Sequence, residues 1–174
     1  MKKRFLLCNT LLLAVLYCAP AWAQAKEPSG PAAAQDKAST TKVVQLLEAS
    51  GHSYTKAKDN VWVIKFKGNQ REEIPVVIIY AENMLILVSV VAEKAEVKVT
   101  PDLLQKLLKL NDALDRVKVG IDNKAGDVFV RIDLSLRVVD EQEFKANLEQ
   151  ISAAADETYA AIKPFLVAPK KTGQ

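Results

Sequence analysis

The sequence predicts an α+β fold, in which an antiparallel sheet of about five strands carries helices on one side. Two observations predict the sheet: apolar, β-branched segments recur between residues 53 and 91, and period-two alternation follows between 117 and 138. A third observation predicts the helices, because capping signals precede segments of helical periodicity before, between and after these strands. The expected element order is α-β-β-β(-β)-α-β-β-α.

Residues typical of helix starts mark each predicted helix. The first helix follows Thr40 or Thr41, and its apolar residues recur at helical spacing up to a glycine stop. In the second, Thr100 and Pro101 stand in the favoured order of N-cap and first helical residue. The third begins at Asp140, with a glutamate at the spacing of a capping box. We therefore expect three helices around the sheet.

Four segments before the second helix are strand candidates. The weakest spans 53–56, and stronger ones span 61–67, 73–80 and 84–91. The last two are apolar at nearly every position, and strands of that kind need cover on both faces of their sheet. Three helices are too few to cover both faces. The remaining cover would be a second copy of the chain or a client segment that adds at a strand edge.

An oxygen-rich stretch around Gly126 raises the question of a cation site. An EF-hand loop that began at Asp122 would place lysine and glycine at its third and fifth positions, where oxygen ligands are required. From 128 to 138 the even-numbered positions are apolar, which indicates a strand. The stretch is therefore predicted to be a hairpin. Its pairs are Ile121 with Val128 and Val119 with Val130.

The first 23 residues have a basic head, a short apolar run and a small-x-small cleavage signal, the layout of a secretory signal peptide. The uninterrupted apolar run is too short for a bilayer span of ~20 residues. Cleavage is expected after Ala23 or, as the second choice, after Ala25, and a retained anchor is the competing interpretation. The four predicted parts are a signal peptide (1–23), a disordered linker (24–40), the α+β domain (41–166) and a flexible C-terminal tail (167–174). We therefore expect a periplasmic protein without a stable membrane span.

Cleavage would remove both cysteines and leave a nearly neutral protein. Three of the 24 Lys and Arg residues lie in the leader, which leaves 21 against 21 Asp and Glu residues. Nucleic-acid binding depends on clustered positive charge and is not expected. His52 is the only histidine, and a serine triad or a zinc site would need partners that the mature chain lacks. We expect no catalytic residues, no cofactor and no metal, and hence no enzyme.

Apolar strand residues and one helix amide form the candidate partner-binding surface. Trp62 fits either a core position or an aromatic anchor on an exposed sheet face. Asn111 lies within the apolar arc of the second helix, where its amide could contact a ligand or pair with backbone groups near the helix end. The candidate residues are Trp62, Ile64, Phe66, Val77, Ile79, Leu85, Leu87 and Asn111.

The segment 107–136, LLKLNDALDRVKVGIDNKAGDVFVRIDLSL, carries a resemblance to a known family. Together with the Asp-capped helix that contains Phe144 and the run Ala154-Ala155-Asp156, it resembles the YbjN-like domain over about 41–165. That family is named for bacterial sensory transduction regulators and shares the fold of type III secretion chaperones. The resemblance implies a non-enzymatic domain, often dimeric, that binds other protein segments. Type III chaperones work in the cytosol, so the predicted signal peptide argues against carrying over their role in loading a secretion apparatus.

Two functions are consistent with these sequence features. The first is an exported, non-enzymatic protein-interaction domain, chaperone-like or regulatory, that binds a protein partner and could form a homodimer. The alternative is a periplasmic carrier that uses the apolar sheet face as the wall of a pocket for a small ligand or a lipid. The two hypotheses differ in what the apolar sheet surface contacts.

Overall fold

A computed structural model describes residues 31–167 of the chain. The predicted signal peptide and all but the first residue of the predicted tail lie outside these described residues. Within them, the backbone forms three α-helices, six strands and two 3₁₀ turns. In chain order the elements are α1 (Pro31–Ala49), β1 (Tyr54–Lys58), β2 (Val61–Phe66), β3 (Ile74–Ala81), β4 (Met84–Ala92), a 3₁₀ turn (Lys94–Glu96), α2 (Pro101–Ala113), β5 (Lys118–Ile121), β6 (Val128–Ser135), α3 (Glu141–Ile162) and a second 3₁₀ turn (Lys163–Phe165).

The strands form one sheet in the order β1-β2-β3-β4-β6-β5, and every neighbouring pair is antiparallel. This confirms the predicted fold class and element order. The sheet has six strands instead of about five, because the weak segment after α1 does form a strand. That strand, β1, pairs with β2 through a register shift between Lys56 and Lys58.

The β5–β6 hairpin confirms the predicted register. The pairs are Ile121 with Val128 and Val119 with Val130. In the turn, the Asp122 carboxylate accepts hydrogen bonds from the backbone N–H groups of Ala125 (2.6 Å) and Lys124 (2.8 Å), which together lower the pKa of Asp122. Gly126 has a φ of 80°, a conformation that glycine adopts without a steric penalty. The Asp122 carboxylate therefore closes a turn.

The predicted N-caps of the second and third helices are both present. The Thr100 hydroxyl accepts a hydrogen bond from Leu103 N at 3.2 Å, and the Asp140 carboxylate accepts one from Glu143 N at 2.8 Å. Each cap satisfies an N–H group that has no acceptor within its own helix. α2 and α3 therefore begin at the predicted positions.

The first helix begins earlier than predicted. α1 starts at Pro31, so residues 31–40, which were expected in a disordered linker, are helical. Proline is favoured at the first position of a helix, and the alanines that follow it have the highest helix propensity. Thr41 lies within the helix instead of capping it, and its hydroxyl donates to Lys37 O at 2.9 Å, one turn back.

The helices pack on one face of the sheet. α3 lies across β3, β4 and β6, α2 lies beside β5, and α1 contacts α3. Residues of β3, β4 and β6 alternate between buried and half-buried positions, because successive side chains of a strand point to opposite faces. The opposite face, which we call the open face, carries no helix in the described part of the chain. Large core residues on the covered side include Trp62, Ile78, Leu85, Leu87, Ile132 and Phe144.

Asp156 on α3 anchors the loop between β2 and β3. Its carboxylate accepts hydrogen bonds from the backbone N–H groups of Asn69 (2.8 Å), Gln70 (3.0 Å) and Arg71 (3.1 Å). Burial raises the pKa of Asp156, but these N–H donors and the positive charge of Arg71 lower it by more, so the net shift is downward. The Arg71 guanidinium also donates to Val90 O at 2.9 Å. The loop therefore connects α3 to the end of β4.

Candidate protein-binding surface

The open face presents a continuous apolar strip across β2, β3, β4 and β6. Residues that pair directly across neighbouring strands lie on the same face, so the register defines the strip. Its members are Val63, Val77, Ile79, Ile86, Val88, Val90 and Phe129. Six are half-buried by their neighbours in the sheet, and Val90 is 39% exposed. Because the helices lie on the other face, the outer side of this strip meets solvent.

Ion pairs border the apolar strip on two sides. On one side, the Asp133 carboxylate accepts hydrogen bonds from Lys118 (2.7 Å) and Arg131 (2.6 Å). Burial raises the pKa of Asp133, and the bonds to these two cations lower it by more. On the other side, Lys65 and Glu73 form an ion pair at 3.0 Å. An apolar centre with a polar rim is the usual anatomy of a protein–protein interface.

A shallow cavity lies in the strip next to the β5–β6 turn. Its volume is about 220 Å³, below the ~300–1,000 Å³ typical of small-molecule sites. Gly120 pairs with Phe129, and a Cβ at this position would lie 3.3 Å from the aromatic ring, so the glycine leaves room for that ring. The lining residues are Ile79, Ile86, Val88, Val90, Phe129, Asp122, Ala125, Asp127 and Arg131. The cavity suits a single large side chain of a partner.

Half of the predicted surface residues lie in the core. Trp62 and Ile64 on β2, together with Leu85 and Leu87 on β4, point toward the helices and are almost fully buried. They cannot contact a partner while the helices remain in place. The physical reason is strand parity, since these four residues occupy the covered face and their immediate neighbours occupy the open face.

The remaining strand candidates lie in two places. Val77 and Ile79 belong to the apolar strip on the open face, as the sequence analysis proposed. Phe66 is half-buried at the end of β2, where its ring packs edge-on against His52 with a centroid distance of 4.8 Å. The structure therefore brings two of the predicted residues together on one solvent-facing surface.

Asn111 pairs with the backbone of β5. Its side-chain amide donates to Val119 O at 2.7 Å, and its side-chain oxygen accepts from Val119 N at 2.9 Å. The amide also donates to Leu107 O at 3.2 Å within α2. Of the two interpretations of Asn111, the structure therefore matches the one in which the amide satisfies backbone groups. These bonds occupy the outer edge of β5 at its centre, where another strand would otherwise pair.

The opposite edge of the sheet is protected in a different way. β1 carries exposed Lys56 and Lys58, and a bulge separates them. Lysines and bulges on edge strands disfavour the addition of a further strand. Since Asn111 occupies the β5 edge, the open face offers a partner more accessible apolar surface than either edge does.

Five members of the strip were not among the predicted residues. In the β3–β4 pair, Val77 opposes Val88 and Ile79 opposes Ile86, so a correct register would have linked them to the two predicted residues. The near-continuous apolar character of β3 and β4 hides which side chains face the helices. The unpredicted residues are Val63, Ile86, Val88, Val90 and Phe129.

Comparison with known proteins identifies the family. The family model described as "YbjN: Putative bacterial sensory transduction regulator" matches residues 39–164. This chain belongs to the YbjN family. The match spans all six strands, α2, α3 and the second half of α1. No curated protein sequence matches the chain significantly.

Solved structures of known proteins share the fold. The crystal structure of YbjN from E. coli is 19% identical, with a TM-score of 0.52, and the match covers 72% of this chain and 92% of that one. The ExsC–ExsE complex contains a chain that is 16% identical, with a TM-score of 0.53 and coverages of 71% and 95%. The ExoU–SpcU heterodimer of the type III secretion system of Pseudomonas aeruginosa contains one that is 17% identical, with a TM-score of 0.50 and coverages of 69% and 97%. The fold is therefore that of type III secretion chaperones.

Proposed function

We propose that the mature protein is a periplasmic, non-enzymatic interaction domain, chaperone-like or regulatory, which binds a polypeptide segment of a partner on the open face and forms a homodimer. The observation that carries the proposal is the apolar strip, which has no cover in the described part of the chain and has charged pairs at its rim. Contiguous apolar surface with a polar border is typical of a binding site.

The related structures support a polypeptide as the partner. Two of them are complexes of two proteins, ExsC with ExsE and ExoU with SpcU, and a third is the chaperone–effector complex of HopA1 and SchA. The geometry of the open face agrees with such a partner, because a long, shallow strip can contact several side chains of one segment. The cavity beside Phe129 would take the largest of them.

The proposed export rests on the leader sequence. Its basic head, apolar run and small-x-small motif support a signal peptide that is cleaved after Ala23 or Ala25. Residues 31–167 contain no helix that is both long enough and apolar enough to cross a membrane. Cell fractionation and mass determination of the mature N-terminus test this part. A protein retained in the cytoplasm with residue 1 intact would contradict it.

The residues of the open face support binding more than catalysis. Its charged members, Lys118, Arg131 and Asp133, neutralise one another in a hydrogen-bonded group. Elsewhere, His52 contacts the Phe66 ring, and no group of three or more His, Cys, Asp and Glu side chains in the described residues could hold a metal ion.

The carrier hypothesis has less support than the protein-binding one. The cavity on the apolar face has a volume of only about 220 Å³. A larger cavity of about 550 Å³ lies between α1 and the start of α3. Its lining is mostly polar, with Lys42, Gln45, Asp140, Glu141 and Gln142, which does not suit an acyl chain. Mass spectrometry of gently extracted protein distinguishes a bound lipid from a bound polypeptide.

A charge introduced into the strip tests the proposed function. Val90→Glu places a carboxylate at the most exposed position of the strip, where the side chain is 39% exposed. A buried interface disfavours an unpaired charge, so we expect the variant to lose a partner that the wild-type protein captures from periplasm. Binding of the identified, purified partner is then measured directly, and its Kd should rise at least tenfold.

Val138→Glu is the matched control, because Val138 is 76% exposed and is not part of the strip. The control should bind the purified partner as the wild-type protein does, and both variants should unfold at nearly the same urea concentration as the wild-type protein. Equal affinity of Val90→Glu and the wild-type protein for that partner would show that the open face is not the binding surface.

A further inference from the structure

α2 is apolar on two of its faces. Leu103, Leu107 and Leu110 are buried against the core. Leu104 and Leu108, one turn apart on a different face, are 46% and 70% exposed. A helix that is apolar on two faces is normally covered on both. The exposed leucine pair therefore marks a second interaction surface, on the covered side of the sheet and away from the open face.

The neighbouring strand restricts how a partner can reach this surface. β5 is an edge strand, but Asn111 occupies both backbone polar groups of Val119 at its centre. A partner that extended the sheet at β5 would have to displace these hydrogen bonds. Contact through the helix avoids that displacement, so the partner should present a surface that packs against α2 itself.

We propose that the second α2 surface binds the same surface of another copy of this chain, with the two helices antiparallel. A two-fold axis near Lys106, midway between the exposed leucines, would place Leu104 of each copy against Leu108 of the other. An interface of this kind is isologous, because one patch serves both copies. This inference rests on the proposed homodimer and names the surface that forms it.

The charges on α2 agree with the same axis. Asp102 and Lys109 are two turns apart, so they lie on the same flank of the helix. Their midpoint in the sequence falls within one residue of the leucine midpoint, so the antiparallel arrangement brings Asp102 of each copy close to Lys109 of the other. Neither residue forms an ion pair with another residue between 31 and 167. The apolar pattern and the charge pattern are therefore both complementary to a second copy.

The arrangement leaves the open face free. α2 packs beside β5 on the covered side of the sheet, whereas the strip lies on the other side. A dimer would therefore carry two open faces, one in each copy. Loss of the dimer and loss of partner binding are separate outcomes, since they depend on opposite sides of the sheet.

Self-association of the mature protein tests the inference. Sedimentation equilibrium from low to high micromolar concentration should show a monomer–dimer equilibrium for the wild-type protein. Leu108→Glu should raise the dimer Kd at least a hundredfold, because two carboxylates would enter one apolar contact. Val138→Glu, which changes another exposed apolar residue, should leave the Kd within threefold. A wild-type protein that stays monomeric, or a Leu108→Glu dimer of unchanged Kd, would refute the inference.

A charge exchange tests the orientation of the helices. Asp102→Lys and Lys109→Asp should each weaken the dimer about three- to tenfold, because each puts like charges together across the axis. The double variant should recover most of the affinity, since it restores both opposite pairs. If the double variant is weaker than both single variants, the antiparallel pairing is wrong. Val90→Glu should dimerise normally, which distinguishes this surface from the open face.

Discussion

Asp156 is the residue whose replacement tests most directly how the sheet and α3 are held together. It is 8% exposed, and its carboxylate accepts three backbone N–H groups of the β2–β3 loop at 2.8–3.1 Å. Asp156→Ala removes all three acceptor contacts. Asp156→Asn keeps one oxygen but turns an NH₂ group toward N–H donors. We therefore expect the stability order wild type, then Asn, then Ala.

The size of the effect follows from the number of hydrogen bonds and from their exposure. Asn69 and Gln70 are exposed, so water replaces part of the lost bonding in the variants. Each bond should then contribute about 1 kcal/mol, near the low end for a charged acceptor. The free energy of unfolding should fall by about 3 kcal/mol in Asp156→Ala and by about half of that in Asp156→Asn.

The same effect should depend on pH in a defined direction. The folded protein holds the pKa of Asp156 below its ordinary value of 3.8. A group of this kind stabilises the fold fully above its unfolded pKa, and the stabilisation is lost as the pH falls through the folded pKa. The stability difference between the wild-type protein and Asp156→Ala should therefore be constant near neutrality and should shrink below about pH 4.

Urea unfolding at pH 7 and at a series of acidic pH values, followed by the fluorescence of buried Trp62, measures these differences. Glu157→Ala is the control, because Glu157 is the next residue of α3 and is exposed. It should change the stability by less than about 0.5 kcal/mol. If Asp156→Ala is as stable as this control at pH 7, or if the wild-type advantage grows in acid, the account of the loop is wrong.

Three further predictions concern the β5 edge, the core and the rim. Asn111→Ala leaves the polar groups of Val119 without their side-chain partners and should cost about 1–3 kcal/mol in urea unfolding. It should also increase light scattering on heating, and unchanged scattering would count against edge protection. Trp62→Ala should cost about 3–5 kcal/mol by circular dichroism, whereas a loss below about 1 kcal/mol would contradict its burial. Asp133→Asn should cost only about 0.5–1 kcal/mol, and less at high salt, because Arg131 and its other cation are partly exposed. A loss that grew with salt would exclude the ion-pair explanation.

The elements with strong local signals were predicted closely. The period-two pattern from 128 to 138 led to the correct pairing of Ile121 with Val128. Thr100 and Asp140 were recognised as N-caps because a helix start requires an acceptor close in sequence. The start of α1 was missed, since the threonine chosen as its cap bonds back into the helix. Local chemistry allows either role for a threonine.

The candidate surface shows where sequence patterns are insufficient. β3 and β4 are apolar at adjacent positions, so alternation cannot distinguish a side chain under α3 from one on the open face. The same ambiguity explains why Leu87 is in the core while Val88, the next residue, lies in the strip. Asn111 posed a similar problem, because its backbone partner Val119 becomes a neighbour only when α2 packs beside β5.

Sequence patterns alone were enough to predict the α+β class, the order of the elements and an excess of apolar strand surface over helical cover. These properties depend on residues that are close in the chain or on total composition. The packing of α3 across the sheet established which apolar residues form the core and which form the open face, and it protected the β5 edge through Asn111. Such properties depend on contacts between distant segments, because a strand turns successive side chains to opposite sides and only its neighbours in space cover one of them.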